Sequence, residues 1–285
     1  MSEVTRWVDA HCHIDAPEFH QDLSQIIARA QAANVEAILL PTVRPSDWDP
    51  VKKLVNQYSK NIPGLVYTLG IHPLYINQAK ESDIDILKVQ IEQSLCDPRF
   101  VGIGEIGLDY FVEGLDPQRQ EYFFHKQLDL AEKFSLPVIL HVRRSADLLL
   151  KGLRKNKVSG GIAHAFNGSL QQAQTFIDGG FVLGFGGALT FERALQLRRL
   201  ATQLPIDGLV METDAPDIPP QWLYQTQEAR LAGVPQGRNE PADLPRIADV
   251  LAQCRGMSPA QLAAASLRNA RRALPRLAAL GDNGD

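Results

Sequence analysis

His11 and His13 close a short, mostly apolar run that begins at Trp7, in Trp7-Val8-Asp9-Ala10-His11-Cys12-His13. Side chains two apart on a strand share a face, so both imidazoles aim at one point and Cys12 turns away. Two imidazoles on a rigid base can hold one divalent metal ion. A lone His-x-His also fits an ordinary strand end. Here the pattern repeats. Apolar runs further along end in His72, Glu105, His141, His164, and the pair Glu212 and Asp214, so that five of the seven histidines fall at run ends.

Imidazole and carboxylate together suit zinc, manganese or a similar divalent ion. His11, His13, Glu105 and Asp214 compose one site, and Glu105, His141 and His164 a second, with Glu105 bridging. Two such ions clamp a scissile group, activate a water and steady the leaving oxygen. The spacing Gly102-x-Gly104-x-x-Gly107 imitates a dinucleotide fingerprint. A glutamate inside that loop would repel a pyrophosphate, and no helix follows at once. The glycines instead let backbone crowd a metal pocket.

Elements that can position these residues recur about every 20 to 36 residues. The expected strands are Trp7–His13, Val35–Val43, Leu65–His72, Phe100–Leu108, Leu136–Val142, Gly160–Ala165, Phe181–Leu189 and Gly208–Asp214. Their continuous apolar cores suit strands buried on both faces. Between them, Asp22–Ala33 is helical, Asp116-Pro117 opens a helix, and Ser169 caps Leu170–Asp178 before Gly179-Gly180. The tail from Ala242 to Ala279 is helical, with Ser258-Pro259 opening its last segment. Strand–helix alternation of this kind predicts an α/β fold: a single (β/α)8 TIM-type barrel over residues 1–285, somewhat distorted, with C-terminal helices. An open doubly wound sheet is the alternative. In a barrel, every strand end named above borders one pocket. The irregular stretch Ala215–Pro241 follows the last strand; Trp222 and Tyr224 within it serve either as a base-stacking pair or as a hydrophobic plug.

The 285 residues are 45% hydrophobic and 22% charged, with a net charge of −4. That balance disfavours a globally basic nucleic-acid surface, but not an enzyme whose metals hold one phosphate. Cys12, Cys96 and Cys254 are scattered, which fits a reducing compartment. The first residues lack a signal-peptide pattern and no apolar stretch spans a bilayer, so a cytoplasmic enzyme without membrane contact is expected.

Several longer motifs appear in order. They are Asp9-Ala10-His11-Cys12-His13, Gly70-Ile71-His72-Pro73, Gly104-Glu105-Ile106-Gly107-Leu108-Asp109-Tyr110 and Pro137-Val138-Ile139-Leu140-His141-Val142-Arg143. His164-Ala165-Phe166-Asn167-Gly168-Ser169, Glu212-Thr213-Asp214-Ala215-Pro216 and Arg238-Asn239-Glu240-Pro241 follow. Together they resemble the TatD family of metal-dependent deoxyribonucleases, within the amidohydrolase-like barrels, over residues 7–274. Glu105 stands where many amidohydrolases carry a modified lysine, which favours TatD among them. The resemblance implies that His11, His13, Glu105, His141, His164 and Asp214 are metal ligands, that His72 and Arg143 contact substrate, and that Glu212 helps hold a further metal. Leu74 replaces a histidine that often follows the Gly-x-His-Pro element, and Ala165-Phe166-Asn167 replaces the usual Cys-Phe-Ser.

The resulting expectation is a hydrolase with two divalent ions (Zn, Mn or Mg) and room for a third. It cleaves phosphodiesters, with Asp214 orienting the attacking water and accepting its proton. His72 and Arg143 hold phosphate oxygens, where a guanidinium fork fits. The partner is DNA, single-stranded, or a small phosphodiester, and the enzyme is a monomer. Hydrolysis of an amide, lactone or aminoacyl ester is the alternative chemistry, and a noncatalytic metal-dependent binding protein the alternative class.

Overall fold

Eight short apolar segments pair side by side in chain order, each parallel to the next. They are β1 (Trp7–Asp9), β2 (Val35–Pro41), β3 (Gly64–Leu69), β4 (Phe100–Asp109), β5 (Val138–Arg143), β6 (Gly161–His164), β7 (Phe181–Phe185) and β8 (Leu209–Met211). Backbone bonds from Ala10 N–H to Met211 C=O (3.0 Å) and from Asp214 N–H to His11 C=O (2.9 Å) join the last strand to the first. The result is the (β/α)8 barrel expected from the alternation, not an open sheet. This computed structural model describes residues 4–235 and 237–281; the remainder of the expected 1–285 domain lies outside the described residues.

The helices are α1 (Leu23–Ala32), α2 (Trp48–Tyr58), α3 (Asp83–Ser94), α4 (Pro117–Phe134), α5 (Ala146–Leu153), α6 (Leu170–Asp178), α7 (Leu195–Gln203), α8 (Gln227–Leu231), α9 (Leu244–Arg255), α10 (Pro259–Ala273) and α11 (Pro275–Gly281). Local chemistry explains their starts. Asp116 accepts the N–H groups of Gln118 and Arg119 ahead of Pro117, and Ser169 with Gln172 completes a capping box, satisfying donors that a helix start leaves orphaned. The tail divides once more than expected, because Pro275 cannot continue α10. Among the described residues no helix is long and apolar enough to cross a membrane.

The two faces of each strand feed two apolar layers. One inner cluster takes Val8, Leu39, Val66, Val101, Ile139, Ile162, Val182 and Val210, one from each strand, and adds Ala270, Ala273, Leu274 and Leu277 from the C-terminal segment. The tail thus packs against the barrel interior, and α10 contacts β1 and β8. The outer layer buries Phe123, Phe124, Phe176 and Leu251 between strands and helices.

Strands 1 and 8 end earlier than expected, at Asp9 and Met211 rather than His13 and Asp214. Asp9 supplies the reason. Its carboxylate accepts the Thr213 N–H (2.9 Å) and hydroxyl (2.6 Å), substituting for ladder bonds where the chain leaves the sheet. Asp214 then takes a left-handed φ of 55°, so the two-residue alternation between Glu212 and Asp214 does not hold.

Candidate metal centre

Glu105 lies within β4, not at its end, and is 2% exposed. The β4–β5 register shifts between Ile103 and Ile106. The Glu105 N–H reaches across to Thr42 C=O at 2.8 Å. Gly107 permits the crowding beside it: with φ +146°, a Cβ there would stand 2.3 Å from the His141 carbonyl oxygen.

Five imidazoles converge on this one carboxylate, in two groups. Oε2 faces His11 Nε2 at 3.2 Å and His13 Nε2 at 3.6 Å. Oε1 faces His141 Nδ1 at 2.9 Å, His164 Nε2 at 3.0 Å and His72 Nε2 at 3.2 Å. Asp214 Oδ1 completes the first group, 3.6 Å from His11 and 3.7 Å from His13. His11 and His13 converge although β1 stops short of them. The segment is pinned by Cys12 N–H to Leu39 C=O (3.0 Å) and His13 N–H to Ala215 C=O (2.8 Å). Cys12 itself is buried beside the Ala215 carbonyl.

The donor set fits divalent metal. His11 Nε2 and His13 Nε2 sit 3.2 Å apart, and His11, His13 and Glu105 offer atoms close enough to share one ion, as do His11, His164 and Asp214, and His72, Glu105 and His141. The buried groups of the cluster shift one another's titration. Burial pushes His11 well below the usual imidazole range. Burial also works against ionisation of Glu105, but the surrounding imidazoles outweigh it and hold this carboxylate well below its ordinary range. Burial lowers His164 too, yet Glu105 and Asp214 outweigh it and lift His164 to about 10.

Hydrogen bonds decide which nitrogens are available. Asp109 Oδ2 accepts from His141 Nε2 at 3.0 Å, which leaves Nδ1, facing Glu105, as the nitrogen available to a metal. His72 is arranged the other way. Its Nδ1 accepts the Leu74 N–H at 3.1 Å, so the ring proton sits on Nε2, the nitrogen that faces Glu105. A protonated nitrogen cannot ligate, so His72 is a donor into the pocket even though its distance to Glu105 matches those of the other histidines. Burial holds it near 4, hence neutral.

Glu212 stands at the other nitrogen of His164. Its Oε1 accepts the Ala165 N–H at 2.6 Å and lies 3.9 Å from His164 Nδ1, while Oε2 is buried without a hydrogen-bond partner. It fills the space left by Gly184, where a Cβ would meet Oε2 at 1.9 Å. Arg143 is exposed at the pocket rim, its guanidinium 4.0 Å from the centroid of the Phe111 ring. Trp222 is partly buried, covered by Arg246 at 4.0 Å, in keeping with a plug. Tyr224 is 38% exposed and meets Phe191 edge-on.

Sequence reasoning assigned no role to Asp109 or Asp9. Both carried a signal. Asp109 lies four residues beyond Glu105 on one strand, a spacing that shares a strand face, and Asp9 closes β1 immediately ahead of the His11 segment.

A family model described as "TatD related DNase" matches residues 8–275. An uncharacterized metal-dependent hydrolase of Escherichia coli, YjjV, is 36% identical over 269 residues, covering 93% of this chain and 96% of that protein. A Salmonella typhimurium protein named 3'-5' ssDNA/RNA exonuclease TatD is 34% identical over 266 residues, covering 92% and 96%. The crystal structure of YjjV superposes with a TM-score of 0.84 at 32% identity, covering 95% of this chain and 98% of that one.

Proposed function

Because this chain belongs to the TatD-related DNase family of metal-dependent hydrolases, we propose that it hydrolyses phosphodiester bonds in single-stranded nucleic acid with two divalent ions that His11, His13, His141, His164, Asp214 and a shared Glu105 would hold. The observation that carries this reading is the division of labour on Glu105: one carboxylate oxygen faces His11 and His13, the other His141 and His164. The relative named as a single-stranded DNA and RNA exonuclease supports the substrate class.

His11, His13, Glu105 and Asp214 would hold one ion, and Glu105, His141 and His164 the other; zinc, manganese and magnesium are the candidates. A further ion would draw on the unpartnered Oε2 of Glu212. Bound ions supply an acidified water and charge neutralisation at the scissile phosphate. Asp214 would orient the attacking water and accept its proton. Burial lifts its carboxylate to about 6, against the pull of His164 and His13, and a neighbouring cation would lower it again. His72 donates its Nε2–H to a phosphate oxygen, and Arg143 at the rim is the second contact to substrate. We place the enzyme in the cytoplasm as a monomer; its described cysteines are all free, as a reducing compartment favours.

The test is turnover of bis(p-nitrophenyl) phosphate and single-stranded DNA and RNA, with zinc, manganese or magnesium, beside a panel of amides, lactones and aminoacyl esters. Phosphodiester turnover that disappears with a chelator and with Glu105→Ala is expected. Turnover confined to the carbonyl panel overturns the reading.

A further inference from the structure

Two consecutive arginines on the pocket rim share one exposed aromatic ring. The Arg143 guanidinium lies 4.0 Å and that of Arg144 4.7 Å from the centroid of the Phe111 ring, and Phe111 is 47% exposed. Consecutive side chains of a strand diverge. Here Arg144 takes a left-handed φ of 54°, a conformation that costs a bulky residue free energy and is retained where the surroundings enforce it. Among the described residues neither guanidinium pairs with a carboxylate. Two uncompensated cations layered on a half-open aromatic ring, in a chain of net charge −4, match a flat, anionic ligand.

The backbone beneath the platform is tied to His141. Asp109, which bonds His141 through Oδ2, uses Oδ1 to accept the N–H groups of Phe111 (2.8 Å) and Val112 (3.0 Å). Gln120 clamps the Asp109 backbone from both sides, at 2.7 and 2.9 Å. The Tyr110 N–H bonds the Arg143 carbonyl at 3.0 Å, and the Ser145 hydroxyl donates to Leu108 C=O at 2.7 Å while accepting the Arg143 N–H at 3.2 Å. The loops after β4 and β5 are thus stapled together through their backbones, with Phe111 two residues beyond Asp109 and Arg143 two beyond His141.

We infer that Phe111, Arg143 and Arg144 form a nucleotide subsite, which takes the base beside the scissile phosphate on the layered Phe–Arg surface and the flanking phosphate on the guanidinium edges. The inference rests on the phosphodiester reading and deepens it. The subsite makes the enzyme favour an oligonucleotide over a small diester. It is tolerant of base identity, because every base offers a π face.

The experiment compares kcat/KM on oligothymidylate with kcat/KM on bis(p-nitrophenyl) phosphate for the metal-loaded wild type, Phe111→Ala, Phe111→Trp and Arg144→Ala. Phe111→Ala is expected to lower the ratio by roughly 5- to 150-fold, the span of base–aromatic stacking, and Phe111→Trp to restore it. Arg144→Ala lowers the ratio and flattens its dependence on salt. One abasic position beside the cleaved bond should cost the wild type a similar factor and Phe111→Ala little more. If the small diester is hydrolysed while the ratio is the same in wild type and Phe111→Ala, or the oligonucleotide is not cleaved at all, the subsite is refuted and the phosphodiester chemistry stands. If no phosphodiester is hydrolysed, the underlying reading fails and the subsite with it.

Discussion

Asp109 shows how one carboxylate can set the chemistry of a neighbour it does not itself perform. By accepting from His141 Nε2 at 3.0 Å it commits Nδ1 to the pocket. Burial opposes ionisation of Asp109, but the bond from His141 and the N–H groups of Val112 and Phe111 outweigh it and hold the carboxyl near 2. It therefore stays an acceptor throughout the working pH range. Asp109→Asn can present an N–H to His141 and favour the wrong tautomer. Metal affinity is expected to fall about 10- to 100-fold, the usual effect of losing such an outer partner. Competition against a chelating dye would read it, with Asp109→Glu restoring part of the loss. Asp214→Asn is a different case. Asparagine keeps an oxygen toward the ion proposed beside His11 and His13 but cannot take a proton, so a rate loss on the order of 100- to 10,000-fold with metal retained is expected. Near-normal turnover with both ions bound would remove Asp214 from the role of base.

At the scale of elements, β4 holds the centre together, and its glycines are the reason it can. Gly107 lets the strand pass close enough to β5 for Glu105 and His141 to meet. A methyl group there would stand 2.3 Å from the His141 carbonyl oxygen at a backbone φ of +146°. Gly107→Ala is thus expected to destabilise the fold by about 1–3 kcal/mol from the strained φ alone and to weaken metal binding by displacing His141. Denaturant unfolding together with metal titration checks both. An unchanged midpoint would show that β5 can retreat without cost.

Across the whole molecule, the unmetallated pocket works against its own fold at alkaline pH. Burial raises Glu212 to about 8 and Asp9 to about 7, whereas an unfolded carboxylate loses its proton at about pH 4. The unfolded chain therefore binds fewer protons there, and stability falls as pH rises toward those values. His164, held at about 10, contributes stability that is complete below about pH 6.5, its unfolded value, and is lost as pH climbs. His72, near 4, acts in the opposite sense only below about 6.5. The chelator-treated protein should therefore lose stability between about pH 6.5 and 8. Added zinc or manganese should reverse that trend, since binding releases protons and tightens with pH. Melting curves at the two ends of that window, with and without metal, provide the check. A metal-free protein that gains stability across it would contradict the assigned proton positions.

The sequence by itself determined the barrel, because strand and helix periods are local and repeat along the chain: the capping residues Asp116, Ser169 and Ser258 all begin the helices they mark. It also determined that His11, His13, Glu105, His141, His164 and Asp214 gather at one end, since a parallel barrel leaves every strand's C-terminal side on a single rim. Alternation failed where the sheet ended. Beyond Asp9 and Met211 the direction of each side chain follows long-range bonds, so the left-handed Asp214 faces His11 while Glu212 sits beside His164 and Gly184. Nor could spacing reveal that His141 turns Nδ1 inward while His72 turns an N–H inward. That difference depends on Asp109 in one case and the Leu74 backbone in the other. Only the tertiary structure laid Arg143 and Arg144 on Phe111, residues more than thirty positions apart in the chain. Local propensity assigns elements and register assigns faces; protons and cations are placed by neighbours that only folding brings near.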